Sequence, residues 1–417
     1  MGRRVIVMKH SSMRSTIRLL LVLCSLLLVT GCTLFSDDAT DALFERVPST
    51  ASNIAFSNDL TFNRAFNIYT YKDFYAGGGV ALGDVNGDGR LDVYLVANQK
   101  ANKLYLNQGR FAFEDVTEQA GVGGSKPWST GASMVDVNGD GHLDIYVTNA
   151  GAPQESARAN ELFVNNGDGT FTERAEDFGI ADSGFSVQAG FFDYDRDGDL
   201  DLFLLNNYAS KPIGQYDLAN LDRDEPSAEG GDRLYRNDTG SDAGPGGGTF
   251  TNVSAQAGIY SSEAGFGLGV SVADLDRDGW MDMYVSNDFF ERDYLYLNNG
   301  DGTFREVLDE TLSSTSTTSM GGDIADLNHD GFPEIFVSDM LPESEARLKT
   351  VTDFIGWERY QAEVEMGYHR KFARNTLQLN NGDGTFSEIG RYAGVEATGW
   401  SWGALMADFN LDGAREI

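Results

Sequence analysis

Apolar residues recur along this chain in short runs: LDVYLVAN, LDIYVTNA, LDLFLLNN, MDMYVSND and PEIFVSDM. Each is rich in β-branched and aromatic residues, each has an acid as its second residue, and each is too short for a helix of ordinary length, so each predicts a strand. Small residues precede them, as in GGGVALGD, STGASMVD and WSWGALMAD, and predict an inner strand packed too closely for large side chains. A third pattern follows, best seen in YLYLNNGDGTFREV from Tyr294. Its Asn-Gly and Asp-Gly pairs supply the positive φ of a tight turn between two strands. That hairpin recurs as LFVNNGDGTFTE from Leu162 and LQLNNGDGTFSE from Leu377, more weakly as LYLNQGRFAFED from Leu104, and in longer form from Leu234. The unit is therefore four antiparallel strands, here called A to D.

Between strands A and B lies an acidic nine-residue loop, present six times. Its first, third, fifth and ninth positions are Asp84, Asn86, Asp88 and Asp92; Asp136, Asn138, Asp140 and Asp144; Asp193, Asp195, Asp197 and Asp201; Asp274, Asp276, Asp278 and Asp282; Asp326, Asn328, Asp330 and Glu334; Asp408, Asn410, Asp412 and Glu416. Gly stands at position 6 every time. Oxygen ligands at alternate positions of a sharp turn converge on one centre, and their hardness and number select Ca²⁺. Six ions are expected. An EF-hand is excluded, because it needs a Glu at position 12, where this chain has Leu95, Val147, Leu204, Val285 and Val337.

Successive first aspartates lie 52, 57, 81, 52 and 82 residues apart. A unit of about fifty residues built from four strands predicts an all-β fold, a β-propeller with one blade per repeat. FERVPSTASNI from Phe44 echoes FTNVSAQAGI from Phe250 and predicts an orphan strand D before the first strand A. The sixth loop is followed by Ile417 alone, so the ring is expected to be incomplete and the chain a piece of a longer protein.

Five cations without acids, then an apolar stretch from Leu19 to Thr30, predict a signal peptide over residues 1–31. Leu28-Val29-Thr30-Gly31-Cys32 resembles a bacterial lipobox, which implies lipidation of Cys32, a linker over 32–42 and a propeller over 43–417. Thr33 after that Cys, where an inner-membrane lipoprotein often carries Asp, points to the outer membrane or cell surface. Lipidation of Cys32 and loss of Cys24 leave no thiol for disulfide or redox chemistry.

Formal charge is −33, and the ligand positions of the six loops hold twenty of the carboxylates. Without a basic stripe, nucleic acid is excluded as a partner. No P-loop, HExxH, GxSxG or zinc spacing occurs, so nucleotide binding and the common hydrolase chemistries find no motif. Paired aspartates invite a polysaccharide-active enzyme, but they recur at repeat spacing as metal ligands.

The loops with their flanking strands resemble the FG-GAP/VCBS repeats of integrin-α-type propellers. Over FNIYTYKDFYAGGGVALGDVNGDG, NKLYLNQGRFAFEDVTEQAGV and ARNTLQLNNGDGTFSEIG the chain resembles bacterial surface lipoproteins with VCBS repeats and a terminal ASPIC/UnbV domain, here absent. The resemblance implies seven calcium-stabilised blades and an adhesion or ligand-recognition role toward an extracellular protein or glycan. A scaffold for the absent domain is the alternative.

Two insertions, from about Tyr208 to Gly231 and from about Leu341 to Asn375, fall in links between strands B and C. Strand alternation puts them on the face opposite the loops, the ligand face in the resembling family. The second is aromatic, locally basic and partly helical in pattern, and offers Trp357, Tyr360, Tyr368, His369, Arg370, Lys371 and Arg374 for ligand contact. The same residues fit a cap packed over the channel with its cations paired to acids.

Overall fold

The computed structural model describes residues 43–151, 155–208, 213–239, 249–351 and 356–417. The predicted signal peptide, linker and Cys32 lie outside them. The described residues are mostly β and form five four-stranded antiparallel sheets, each in the order A-B-C-D. The first comprises Val80–Gly83, Asp92–Leu95, Lys103–Asn107 and Phe113–Asp115. The second comprises Ser129–Val135, Asp144–Asn149, Glu161–Asn165 and Phe171–Glu173. Ser186–Phe192, Asp201–Asn206, Arg233–Asn237 and Phe250–Asn252 make the third. Gly267–Ala273, Asp282–Asn287, Tyr294–Asn298 and Phe304–Glu306 make the fourth. Gly321–Ala325, Glu334–Ser338, Thr376–Asn380 and Phe386–Glu388 make the fifth. These are the blades the repeats predict. No helix among the described residues is long and apolar enough to cross a membrane.

Strand B reads as continuously apolar because both its faces are buried between blades. Side chains alternate along a strand, so neighbouring residues serve different interfaces. Ile145 and Val147 join Tyr94, Val96 and Leu104 between blades one and two. Tyr146 turns the other way, to Leu202, Leu204 and Tyr235 of blade three. Phe203 and Leu205 meet Met283, Val285 and Tyr294 of blade four, and Tyr284 meets Ile335 and Val337 of blade five.

Strands A line the crowded interior, each packing on the next. A Cβ on Gly131 would stand 2.6 Å from the carbonyl oxygen of Val187, and one on Gly79 would stand 2.8 Å from the Cα of Gly131. Only Gly permits that approach. At the other end of the sheet edge, the Asn closing strand C reaches back one blade. The Nδ2 groups of Asn165, Asn237, Asn298 and Asn380 donate to the carbonyls of Val85, Val137, Tyr194 and Leu275, at 2.8–3.1 Å. Each accepting carbonyl is position 2 of the preceding acidic loop, so the loops take part in the blade-to-blade joints.

Two expectations are corrected. Phe44–Val47 forms no strand; the echo of the strand D exit survives as the helical turn Ser49–Ser52, closed by Asn53 at φ 60° where the echoed turn Ser254–Ala257 uses Gly258. The second concerns WSWGALMAD: only Ala407 pairs, with Glu416. Strand A needs the residues after its loop as a ladder, and one residue follows Glu416.

At the other face, one side chain per blade accepts the backbone N–H that ends strand B: Asn102, Asn160, Asp232, Asp293 and Asn375. Burial pushes the Asp232 carboxyl up to about 7 from its ordinary 3.8. A raised folded-state value means that its stabilising contribution is complete below about pH 4 and is lost as pH rises through about 7. Asp232→Asn, the residue of blades one, two and five, should therefore stabilise the protein by about 2–3 kcal/mol more at pH 8 than at pH 5. Paired melts at the two pH values check this, and a difference that does not vary with pH contradicts it.

Candidate functional site

Each acidic loop is shaped by its own carboxylates. In loop one, Asp84 accepts the N–H groups of Asp88 and Gly89, Asn86 accepts that of Asp88, and Asp88 accepts that of Arg90. Loops two and six repeat all four bonds. In loops three, four and five, Gly198, Gly279 and Gly331 donate to Asp193, Asp274 and Asp326. These bonds fold the side chains of the loop back over its own turn. Asp193, Asp195 and Asp197 bring carboxylate oxygens within 4.8 Å of one another, as do Asp274, Asp276 and Asp282. Elsewhere position 3 is Asn, an amide oxygen beside fewer carboxylates, except that Asn328 and Asn410 also donate to Glu334 and Glu416. The longer Glu reaches that amide; in loops one and two the Asn donates instead to Asp88 and Asp140.

A hard cation fits these cages. Asp195 Oδ1, Asp274 Oδ1 and Asp326 Oδ1 are buried yet accept no hydrogen bond, and such oxygens are costly without a donor or an ion. Asp199 Oδ1 is in the same condition, and repulsion from Asp197 adds to burial in raising its carboxyl to about 7. Asp199 stands at position 7, outside the expected ligand set, although its acid is plain in DYDRDGDLD.

Position 9 has a second duty that the spacing does not reveal. Asp92, Asp144, Asp201 and Asp282 are buried, and each accepts two backbone N–H groups. One comes from loop position 2 and the other from the Asn that ends strand C. Burial raises Asp144, Asp201 and Asp282 to about 7 despite those bonds. Asp282 therefore both anchors its blade and belongs to an acidic cluster.

The two insertions meet on the opposite face. The hydroxyl of Tyr368 donates to the carbonyl of Leu218 at 2.8 Å, and Arg223 pairs with the buried Glu291 while donating to the carbonyl of Gly367. Between them lies a cavity of about 380 Å³, lined by Tyr216, Leu218, Phe289, Phe290, Glu363 and Lys371 among others. The second insertion contains the helices Glu345–Val351 and Trp357–Glu365. Of its candidate contacts, Tyr368 is buried; His369 donates to Asp309; Arg374 pairs with Glu388 and lies over Phe372. Lys371 is buried and donates to the carbonyls of Phe289, Phe290 and Glu291. Arg370 is exposed, as is Trp357, whose ring stacks on Tyr360 at 5.5 Å between centroids. Trp357 and Arg370 thus face solvent, with half-buried Tyr360 beneath the tryptophan ring, while the other four candidates hold the insertion in place.

Residues 84–147, 148–204 and 274–337 match the FG-GAP-like repeat. Cartilage acidic protein 1 of Xenopus tropicalis is 28% identical over 251 residues, 59% of this chain and 34% of that protein. Integrin alpha-7 of Homo sapiens is 40% identical over 85 residues, 18% of this chain and 7% of that protein. The chain thus spans about a third of the cartilage acidic protein it matches. The crystal structure of the V. cholerae biofilm matrix protein Bap1 aligns with 74% of this chain and 38% of its own at 14% identity and a TM-score of 0.35, too distant to argue from.

Proposed function

We propose that this FG-GAP-repeat chain is a calcium-stapled, exported recognition module, held to a membrane by lipid on Cys32 and displayed at the outer membrane or cell surface, that binds an extracellular protein or glycan. Six Ca²⁺ sit in the A–B loops and stiffen the blade joints. The partner docks on the insertion face. The observation that carries this reading is the interlock of two insertions about 150 residues apart in the chain, which builds a walled cavity beside exposed Trp357 stacked on half-buried Tyr360. A fold that needed only blades would gain nothing from it. An exposed tryptophan braced by a stacked tyrosine offers large contact area at low entropic cost, the composition of binding hot spots.

Trp357→Ala combined with Tyr360→Ala should weaken partner binding at least about tenfold while leaving the melting temperature nearly unchanged. Glycan arrays and extracellular-protein panels, probed with the calcium-loaded chain, supply the readout. Binding that survives the double substitution overturns the docking face. Cleavage of a bound polysaccharide by the same preparation would instead favour the enzyme reading.

A further inference from the structure

Position 4 of the acidic loop takes a left-handed backbone in all six copies. Loops one and two place Gly87 and Gly139 there, at φ 73° and 69°. The other four place Arg196, Arg277, His329 and Leu411 there, at 61–64°. A side chain at such a φ is strained, so its presence wants a compensating contact.

For the two arginines that contact is the next loop. The Arg196 guanidinium lies 4.9 Å from the ring of Trp280, position 7 of loop four; Arg277 lies 4.9 Å from the ring of Phe332, position 7 of loop five. Both also cover position 6. A Cβ on Gly279 would stand 3.0 Å from Arg196 Nη2, and one on Gly331 would stand 2.9 Å from Arg277 Nη1. Those two glycines donate the N–H groups that orient Asp274 and Asp326. In loop one, by contrast, position 7 turns inward on its own blade: Arg90 bonds to the carbonyl of Asn107 and to Asp88.

We propose that Arg196 and Arg277 are positioning residues that couple calcium binding across loops three, four and five. This inference rests on the calcium reading above. Arg196 stands between Asp195 and Asp197, so an ion held by those two fixes its backbone. The fixed guanidinium then clamps Gly279 and Trp280, which holds Asp274 toward the loop-four centre. Charge acts in the same direction. Loop four places four carboxylates around one divalent ion, and the guanidinium offsets part of the excess. Filling loop three therefore favours filling loop four, and loop four favours loop five through Arg277. Loops one and two, with Gly at position 4, stand outside the series.

Tb³⁺ is the probe, because Trp280 sits within loop four and sensitises the luminescence of an ion bound there. Asp195→Asn should raise the loop-four half-saturation concentration by about fivefold or more in the otherwise native chain. In the Arg196→Ala background the same substitution should change it less than about twofold. Melts at saturating metal establish that all four proteins are folded; Asp193→Asn replaces Asp195→Asn should the latter unfold. Equal shifts in the two backgrounds, or no shift in either, overturn the coupling while leaving calcium binding intact. Absence of sensitised luminescence in every protein overturns the coupling together with the calcium reading.

Discussion

Removing calcium should lower the melting temperature of this protein by about 10 °C. Extracellular calcium modules bind at roughly 0.1–1 mM, and at about 1 mM Ca²⁺ a site of about 0.1 mM adds roughly 1.4 kcal/mol. Six such sites would together contribute about 8 kcal/mol, as much as the net stability of an ordinary domain. The unfolding entropy of a chain this long converts that figure to about 10 °C. Structure gives the loss a location. Loops three and four each hold three carboxylates within 4.8 Å, and without an ion those charges repel. Position 2 of loops one to four also receives the Asn that ties on the following blade, so loosening a loop loosens a joint. Calorimetric scans in 1 mM Ca²⁺ and in EDTA decide the matter. Scans that coincide within about 2 °C would show that the backbone bonds to positions 1, 3 and 5 suffice alone, and that the ions are not staples.

The blades were legible because their determinants are local. A short continuous apolar run, an Asn-Gly turn and a nine-residue acidic spacing all lie within one unit, and the structure places a sheet at each of the first five. Long-range side-chain duties were not legible. Nothing near Asp282 says that its two oxygens take the N–H groups of Leu275 and Asn298. Nor does the pair of asparagines in LYLNNGDGT tell which one crosses to the previous blade; Asn298 does so, to a carbonyl 104 residues earlier. The basic, aromatic insertion carried the same ambiguity. Composition displays its cations but not whether they face solvent or a partner distant in the chain. Arg374 reaching Glu388 and Lys371 reaching Phe290 settle that question only in three dimensions.

Lys371 makes the strongest case that much of this basic patch is architecture. Its side chain is buried, with 8% of the residue exposed, and that burial drives its pKa below the usual lysine value even with Glu291, Glu363, Asp293 and Asp288 nearby. Three backbone carbonyls hold it, at 3.3, 2.6 and 3.1 Å from Phe289, Phe290 and Glu291. Those residues form the B–C link of blade four, whereas Lys371 belongs to the insertion of blade five. The side chain therefore rivets one blade's insertion to its neighbour. Lys371→Met keeps the stem but strands three carbonyls and removes the cation from a ring of acids. Breaking a buried charged network in this way costs about 3–5 kcal/mol, or about 5 °C for this chain. Replacing exposed Trp357 should cost within about 0.5 kcal/mol. If Lys371 served chiefly to touch a ligand, the order would reverse, with binding lost and the melt unchanged. Melting and binding measured together on the two variants separate a rivet from a contact.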